Sequence, residues 1–298
     1  MRLHHFFSKR LCNMVFFGLL ITVFLITTLC CASPSFVNIA AEAGNENNDT
    51  PVKIPVVMYH LVFKKANSRN KFIISEKTLE EDFKYLSNNG FTTILVKDLI
   101  DYVENKGELP EKPIMLTFDD GAYNNYLYAL PLAKKHNVKF VFSPIGIHAD
   151  RYTEISEENP RYAHANWTHI KELADSGIVE IQNHTYDMHS SKGARLGCKK
   201  RRGESVEKYK QKLSDDLMKM QKLVTEKTGT TPTAFVYPFG AYSECSKDIV
   251  KELGFKATFL CENKMNHITR DPNSIHGLYR FLRPPGKSSE KFFDKILS

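Results

Sequence analysis

The alternation of short strand-like runs with longer helical segments is the feature that most constrains how this chain can fold. From Ile54 onward, runs rich in β-branched and aromatic residues are separated by stretches in which apolar residues recur at helical spacing. The runs are IPVVMYH (54–60), FTTILV (91–96), PIMLTF (113–118), VKFVFS (138–143), IVEIQ (178–182), TAFVYP (233–238) and KATFL (256–260). Strands that alternate with helices form parallel sheets, and seven of them fit an irregular closed barrel better than an open sheet. We therefore predict an α/β fold, a distorted (β/α)7 barrel.

The first 32 residues differ from this domain in composition. Three basic residues precede LCNMVFFGLLITVFLITTLCCA (11–32), an apolar stretch without a charged residue. Such a segment predicts either a secretory signal peptide or an uncleaved N-terminal membrane anchor, and the sequence leaves both open. Residues 33–52 are mostly small and polar and indicate a linker, which leaves 53–298 as the folded domain. Either alternative predicts an extracytoplasmic protein, membrane-anchored or secreted.

Charge and cysteine spacing argue against two classes of function. Beyond residue 32 the chain carries 38 basic and 34 acidic residues, a net charge of +4, which does not indicate nucleic-acid binding. The cysteines of the domain are Cys198, Cys245 and Cys261, without a Cys-x-x-Cys pair. A thiolate zinc site is therefore not predicted, and one disulfide is compatible with the sequence.

Polar side chains of the kind that bind metals stand at the ends of four predicted strands. They are Tyr59-His60, Asp119-Asp120-Gly121, NHTYDMH with His184 and His189, and YPFG (237–240). The chemistry of a parallel barrel takes place where its strands end, so we expect these groups to share one rim. Two histidines and one carboxylate would leave coordination positions open for water and substrate, and the other aspartate would act as a general base.

The motifs TFDDG, NHTYDMH and YPFG together resemble the metal-dependent polysaccharide deacetylases of carbohydrate esterase family 4, the NodB-like homology domain. VVMYH and the wide spacing of the two histidines are similar to the branch containing poly-N-acetylglucosamine deacetylases. The resemblance covers residues 53–298. It implies a NodB-like barrel, a divalent metal of the zinc type and the removal of N-acetyl groups from an amino-sugar polysaccharide such as peptidoglycan or poly-N-acetylglucosamine. The substrate partner would be that polysaccharide, and the N-terminal segment, if uncleaved, would contact the membrane.

The resemblance also assigns roles to individual residues. It makes Asp119 the general base, and it makes Asp120, His184 and His189 the metal ligands. The backbone N–H of Phe239 would donate to the tetrahedral oxyanion, since that function requires only a main-chain group. Tyr237 and Pro238, in the same motif, would bind substrate.

Two parts of the family pattern are not found. No arginine precedes Tyr237-Pro238, so we expect the guanidinium that would orient the base to be missing. The late Leu-x-His, whose imidazole protonates the leaving amine, is also not found. His60 is then our first candidate for the general acid, ahead of His276 and His267, and a purely structural hydrogen bond is an equal alternative for His60.

Two other functions remain open at this point. An iron oxygenase uses a similar set of two histidines and one carboxylate, although the second aspartate and the barrel pattern count against it. A non-catalytic, surface-anchored glycan-binding module would fit the departures from the family pattern, although the three ligands and the base are all present. Metal analysis with an oxygen-consumption assay would identify an oxygenase. Release of acetate from N-acetylglucosamine oligomers would separate a deacetylase from a glycan-binding module.

Overall fold

The structure is a computed structural model that describes residues 50–66 and 69–298. The predicted signal peptide or membrane anchor lies outside the described residues, as does most of the predicted linker. Among the helices that are described, none is both long enough and apolar enough to cross a membrane.

Short strands carry the architecture, and the seven predicted ones are all observed. In chain order the strands are β1 (Val52–Ile54), β2 (Val56–Tyr59), β3 (Leu61–Phe63), β4 (Ile73–Ser75), β5 (Thr92–Ile94), β6 (Pro113–Asp120), β7 (Phe140–Pro144), β8 (Val179–Ile181), β9 (Ala234–Val236), β10 (Ala257–Phe259), β11 (Asn266–Ile268), β12 (His276–Leu278) and β13 (Phe281–Leu282). The predicted runs correspond to β2 and to β5 through β10. The predicted α/β fold is therefore confirmed.

Parallel pairing arranges nine of these strands into a ring, and β1 with β11 and β3 with β4 form two separate pairs. One sheet has the order β13-β2-β6-β7-β8, with β5 paired to the amino-terminal half of β6, and a second has the order β12-β10-β9. A backbone bridge from Asn183 to Phe235 joins the end of β8 to β9. On the other side, two residues separate β12 from β13, which pairs with β2. The barrel thus closes irregularly, as a distorted barrel requires.

Helices connect the strands from β4 to β10, one more follows β13, and four of the eight begin at a polar side-chain cap. They are α1 (Glu76–Asn88), α2 (Val96–Glu104), α3 (Leu130–His136), α4 (Gly146–Ile155), α5 (Trp167–Asp175), α6 (Val206–Thr228), α7 (Glu244–Glu252) and α8 (Ser289–Leu297). The side chains of Ser75, Asn166, Ser205 and Ser288 accept backbone N–H groups at four helix starts. Gly229 ends α6 in the left-handed conformation, with φ of +77°.

Alternation along β6 determines which side chains reach the interior of the barrel. Leu116 and Phe118 pack in the cluster that includes helix residues such as Leu79 and Phe83 of α1, whereas Met115 packs in a second cluster. Successive side chains of a strand point to opposite faces, so Met115, Thr117 and Asp119 share one face. The base predicted from the sequence therefore lies on the face of β6 opposite α1.

Candidate active site

Three side chains form a compact group of potential metal ligands at the carboxyl ends of the strands. Nε2 of His184 lies 3.4 Å from Oδ1 of Asp120, and Nε2 of His189 lies 3.3 Å from the same oxygen. One ligand atom from each of the three residues lies within 4.8 Å of the others. The structure thus brings together the three residues that the sequence predicted as ligands, on the loop after β8 and at the end of β6.

The tautomer of His184 suits it to bind a metal. Its Nδ1 donates to the carbonyl oxygen of Val236 at 2.7 Å, because a carbonyl can only accept. The lone pair of a neutral ring is then on Nε2, which faces Asp120. For Asp120, burial opposes ionisation, but the contacts with His184 and His189 outweigh it and hold the pKa of the carboxyl well below its usual range. The donor set is therefore one ionised carboxylate and two imidazoles, which fits a zinc-type ion.

The backbone around Asp120 is bent so that alternation ends there. Asp120 and Gly121 both adopt positive φ, +68° and +74°. A Cβ on Gly121 would lie 2.8 Å from the Cα of Pro144, so the close approach of β7 requires glycine at this position. His164 contacts the carbonyl oxygen of Asp120 through Nδ1 at 2.9 Å, which holds the bend from the other side. Two adjacent aspartates can consequently have different environments.

Asp119 forms a buried ion pair that the sequence analysis did not predict. The Nη1 of Arg280 donates to Oδ1 of Asp119 at 2.8 Å, and neither side chain is more than 3% exposed. Arg280 is fixed by further bonds to the carbonyl of Leu260 and the hydroxyl of Thr117. The expectation that the guanidinium is missing was therefore wrong. Arg280 lies in the two-residue link between β12 and β13, far in sequence from the YPFG motif.

This arginine favours the ionised form of the predicted base. Burial alone would raise the pKa of Asp119, but the guanidinium of Arg280 and the ring of His184 outweigh it, so the pKa lies below the usual range. Asp119 is therefore an ionised carboxylate held in one orientation beside the ligand group.

His60 lies on the same rim, immediately after β2. It lines the cavity that contains Asp119 and Asp120, and its ring is 4.7 Å from that of Phe72. Its buried Nδ1 has no hydrogen-bond partner among the described residues, so this nitrogen does not make the structural bond considered as an alternative. Burial lowers the pKa of His60, and the neighbouring Asp119 and Asp120 oppose that shift.

The residues of the YPFG segment lie in two places: Phe239 lines the cavity, and the residues before it are buried. Phe239 has φ of +59°, is 44% exposed, and its ring lies 4.5 Å from that of His189. Tyr237 and Pro238 are both buried and do not line the cavity that holds the ligand group. Tyr237 instead lines a separate pocket that also contains His276. His267, in β11, is exposed on a strand paired with β1.

The site opens into one cavity of about 410 Å³. This volume is in the range of small-molecule sites, about 300–1,000 Å³. Among its lining residues are Met58, His60, Phe72, Asp119, Asp120, His184, His189, Phe239 and Cys261. Cys198, Cys245 and Cys261 are all free, so the disulfide that the sequence allowed is not formed among them.

At the rim of this α/β barrel, a two-histidine, one-aspartate group that could hold a metal lies beside a second, arginine-paired aspartate, an arrangement compatible with a hydrolase. Comparison with known proteins agrees with this class. The family model described as polysaccharide deacetylase matches residues 106–258, just over half of the chain. The chain belongs to the polysaccharide deacetylase family.

Individual relatives support this assignment over most of the chain. The poly-beta-1,6-N-acetyl-D-glucosamine N-deacetylase of Escherichia coli strain K12 is 24% identical over 260 residues, which cover 81% of this chain but 38% of that protein. The protein of the same name from Staphylococcus aureus strain MRSA252 is 24% identical over 242 residues, 74% of this chain and 79% of that one. Among solved structures, a de-N-acetylase from Aggregatibacter actinomycetemcomitans is 28% identical, with a TM-score of 0.67, and covers 81% of this chain and all of its own. The NodB-like fold is therefore confirmed.

Proposed function

We propose that residues 53–298 form a metal-dependent N-deacetylase that removes acetyl groups from an amino-sugar polysaccharide, with poly-N-acetylglucosamine as the first candidate substrate. The observation that carries the proposal is the convergence of Asp120, His184 and His189 next to the arginine-paired Asp119 in one cavity. The names of the relatives from E. coli and S. aureus favour this substrate. The basic and apolar N-terminal segment supports an extracytoplasmic location, by anchoring or secretion.

The residues present fit a divalent metal ion, with zinc as our first choice. Asp120, His184 and His189 would hold it, leaving positions open for water and the substrate carbonyl. When bound, such an ion polarises the amide carbonyl and lowers the pKa of water.

The chain's own groups supply the proton transfers. Asp119, ionised and oriented by Arg280, takes a proton from the water that attacks the acetamide carbonyl. Phe239 lines the cavity, and its backbone N–H donates to the oxyanion that develops. His60, in its protonated form, gives a proton to the nitrogen as the C–N bond breaks, and acetate and the free amino sugar leave. The proton taken by Asp119 is then released to solvent, from which His60 is protonated again.

Two exposed aromatic rings line this cavity and would pack against a sugar ring. Phe72 is 37% exposed and Phe239 is 44% exposed, and both line the cavity, against His60 and His189 respectively. Apolar side chains exposed together at a cavity can mark a ligand-binding groove, whereas single ones elsewhere on a surface do not. A pyranose ring has apolar faces that match these rings, with its N-acetyl group directed toward Asp119.

Acetate release tests this proposal directly. Full-length protein would be incubated with oligomers of β-1,6-linked N-acetylglucosamine, chitin oligomers, peptidoglycan fragments and acetylated xylan, each with and without a chelator. We expect release from amino-sugar substrates that the chelator abolishes and added Zn²⁺ restores. Tight binding of these glycans without release of acetate from any of them would instead indicate a non-catalytic glycan-binding module.

A further inference from the structure

The two histidines of the ligand group are joined by a loop that must keep both rings aimed at one point. His184 and His189 are five residues apart, and the residues between them belong to no helix or strand. Neither helical nor strand periodicity therefore fixes their relative orientation, which depends on contacts that other elements make with Thr185, Tyr186 and Asp187.

The carbonyl groups of this loop are held by the start of α4. The N–H of Gly146 donates to the carbonyl of Thr185 at 3.1 Å, and that of Ile147 donates to the carbonyl of Tyr186 at 2.8 Å. A Cβ on Gly146 would lie 2.6 Å from the ring of Tyr186, so the loop packs directly against α4. Thr185 has φ of +73°, a conformation that is uncommon for a β-branched residue and persists only under such constraints.

The amide groups of the same loop are held from the opposite side by one carboxylate of α6. Oδ1 of Asp216 accepts the N–H of Tyr186 at 2.8 Å, and Oδ2 accepts the N–H of Asp187 at 2.8 Å. Asp216 is half-buried, and no Lys, Arg or His of the described chain forms an ion pair with it within 4.0 Å. Its neighbour Asp215 is exposed and, among the residues that the structure describes, bonds only to the side chain of Gln211 on the same helix. A carboxylate that accepts two consecutive amides fixes the backbone between the two histidines.

We propose that Asp216 is a positioning residue for the metal site: by accepting both amides, it holds His184 and His189 in the geometry that binds the ion. This inference rests on the metal-dependent activity proposed above. Asparagine at this position would keep one acceptor oxygen but would place an NH₂ donor against the second N–H. The loop would then relax from the strained conformation at Thr185, and the two imidazoles would no longer be pre-aligned.

The test measures metal affinity in full-length, metal-free protein by titration with Zn²⁺ against a chromophoric chelator. Loss of an outer contact typically weakens metal binding about 10- to 100-fold, and we expect Asp216→Asn to fall in this range. Asp215→Asn, which removes the adjacent and exposed carboxylate, is the matched control and should retain wild-type affinity. Acetate release by Asp216→Asn should rise with added Zn²⁺ toward the wild-type rate at a temperature where circular dichroism shows that the metal-free variant is folded, so that the recovery does not come from metal-linked refolding.

Amide hydrogen exchange gives a second measurement that does not depend on a variant folding. In metal-free wild-type protein the N–H groups of Tyr186 and Asp187 should be protected, although Asp187 is exposed to solvent. Wild-type affinity in Asp216→Asn, or unprotected amides in the wild type, would overturn the role of Asp216. Failure of the wild type itself to bind Zn²⁺ would instead contradict the proposed function.

Discussion

Replacing Arg280 with methionine removes the guanidinium that pairs with the proposed base, and a second buried arginine provides a matched control. Arg283 is also fully buried and binds Asp82 at 2.8 Å through Nε and 2.9 Å through Nη2. Removal of one partner of a buried ion pair costs about 3–5 kcal/mol, because the other charge stays buried and unpaired. With about 2–4 °C per kcal/mol for a domain of this size, either Arg→Met variant should lose roughly 6–20 °C in melting temperature.

Only one of the two variants should also change the chemistry. Without Arg280, the burial of Asp119 acts with less opposition and raises the pKa of its carboxyl. A base with a higher pKa becomes protonated at higher pH, so the acidic limb of kcat/KM should move upward. Each unit of that shift corresponds to about 1.4 kcal/mol. Arg283→Met should leave the limb where the wild type has it, because Arg283 and Asp82 do not line the cavity.

The assay is acetate release from amino-sugar oligomers over a pH series, combined with thermal unfolding of each variant. Should Arg280→Met prove too unstable, the double variant Asp119→Asn/Arg280→Met removes both partners and should recover much of the lost melting temperature. If Arg280→Met is destabilised but keeps the wild-type pH profile, Arg280 does not set the charge of Asp119 and this part of the mechanism is wrong.

Three further predictions concern Glu180 in β8, the backbone bend at Gly121 and the proposed general acid His60. Burial raises the pKa of Glu180 from 4.5 to about 7, so the folded state holds this proton more tightly. The contribution of Glu180 to the unfolding free energy should be largest below the lower value and be lost as pH rises to the higher one, and the difference in urea unfolding between wild type and Glu180→Gln should change over this interval. Gly121→Ala places a Cβ 2.8 Å from Pro144 and should cost about 1–3 kcal/mol more in unfolding free energy than Gly177→Ala, whose φ is similarly positive but whose surroundings are open. His60→Gln should lower kcat about 10²- to 10⁴-fold in acetate release while Zn²⁺ affinity stays at the wild-type level, and equal losses of both would indicate a structural role.

The strands and the ligand group could be predicted because their signals are local. Each of the seven predicted strands is a short apolar run, and Asp120 and His184 follow such runs closely. Parallel topology then brings the strand ends to one rim without knowledge of any side-chain contact. The same reasoning placed His60 on the rim.

The remaining features depend on contacts between distant segments, which no local pattern encodes. Arg280 reaches Asp119 across 161 positions of sequence, from a link between two strands that are only three and two residues long. Such short strands give no periodicity, so the closing segment of the barrel was not predicted. The proposed role of Asp216 could not be predicted from the sequence for a similar reason, since a single aspartate in a long charged helix is usually a solvent-exposed residue.

The two adjacent aspartates have separate proposed roles, Asp120 as a metal ligand and Asp119 as the general base. Measuring bound Zn²⁺ and acetate release together for Asp119→Asn and Asp120→Asn tests these roles most directly. Asp120 belongs to the ligand group, whereas Asp119 pairs with Arg280 beside it. We predict that Asp119→Asn binds Zn²⁺ with near wild-type affinity but releases no acetate, and that Asp120→Asn loses Zn²⁺ affinity and activity together. Normal turnover by Asp119→Asn, or wild-type Zn²⁺ affinity in Asp120→Asn, would contradict the account.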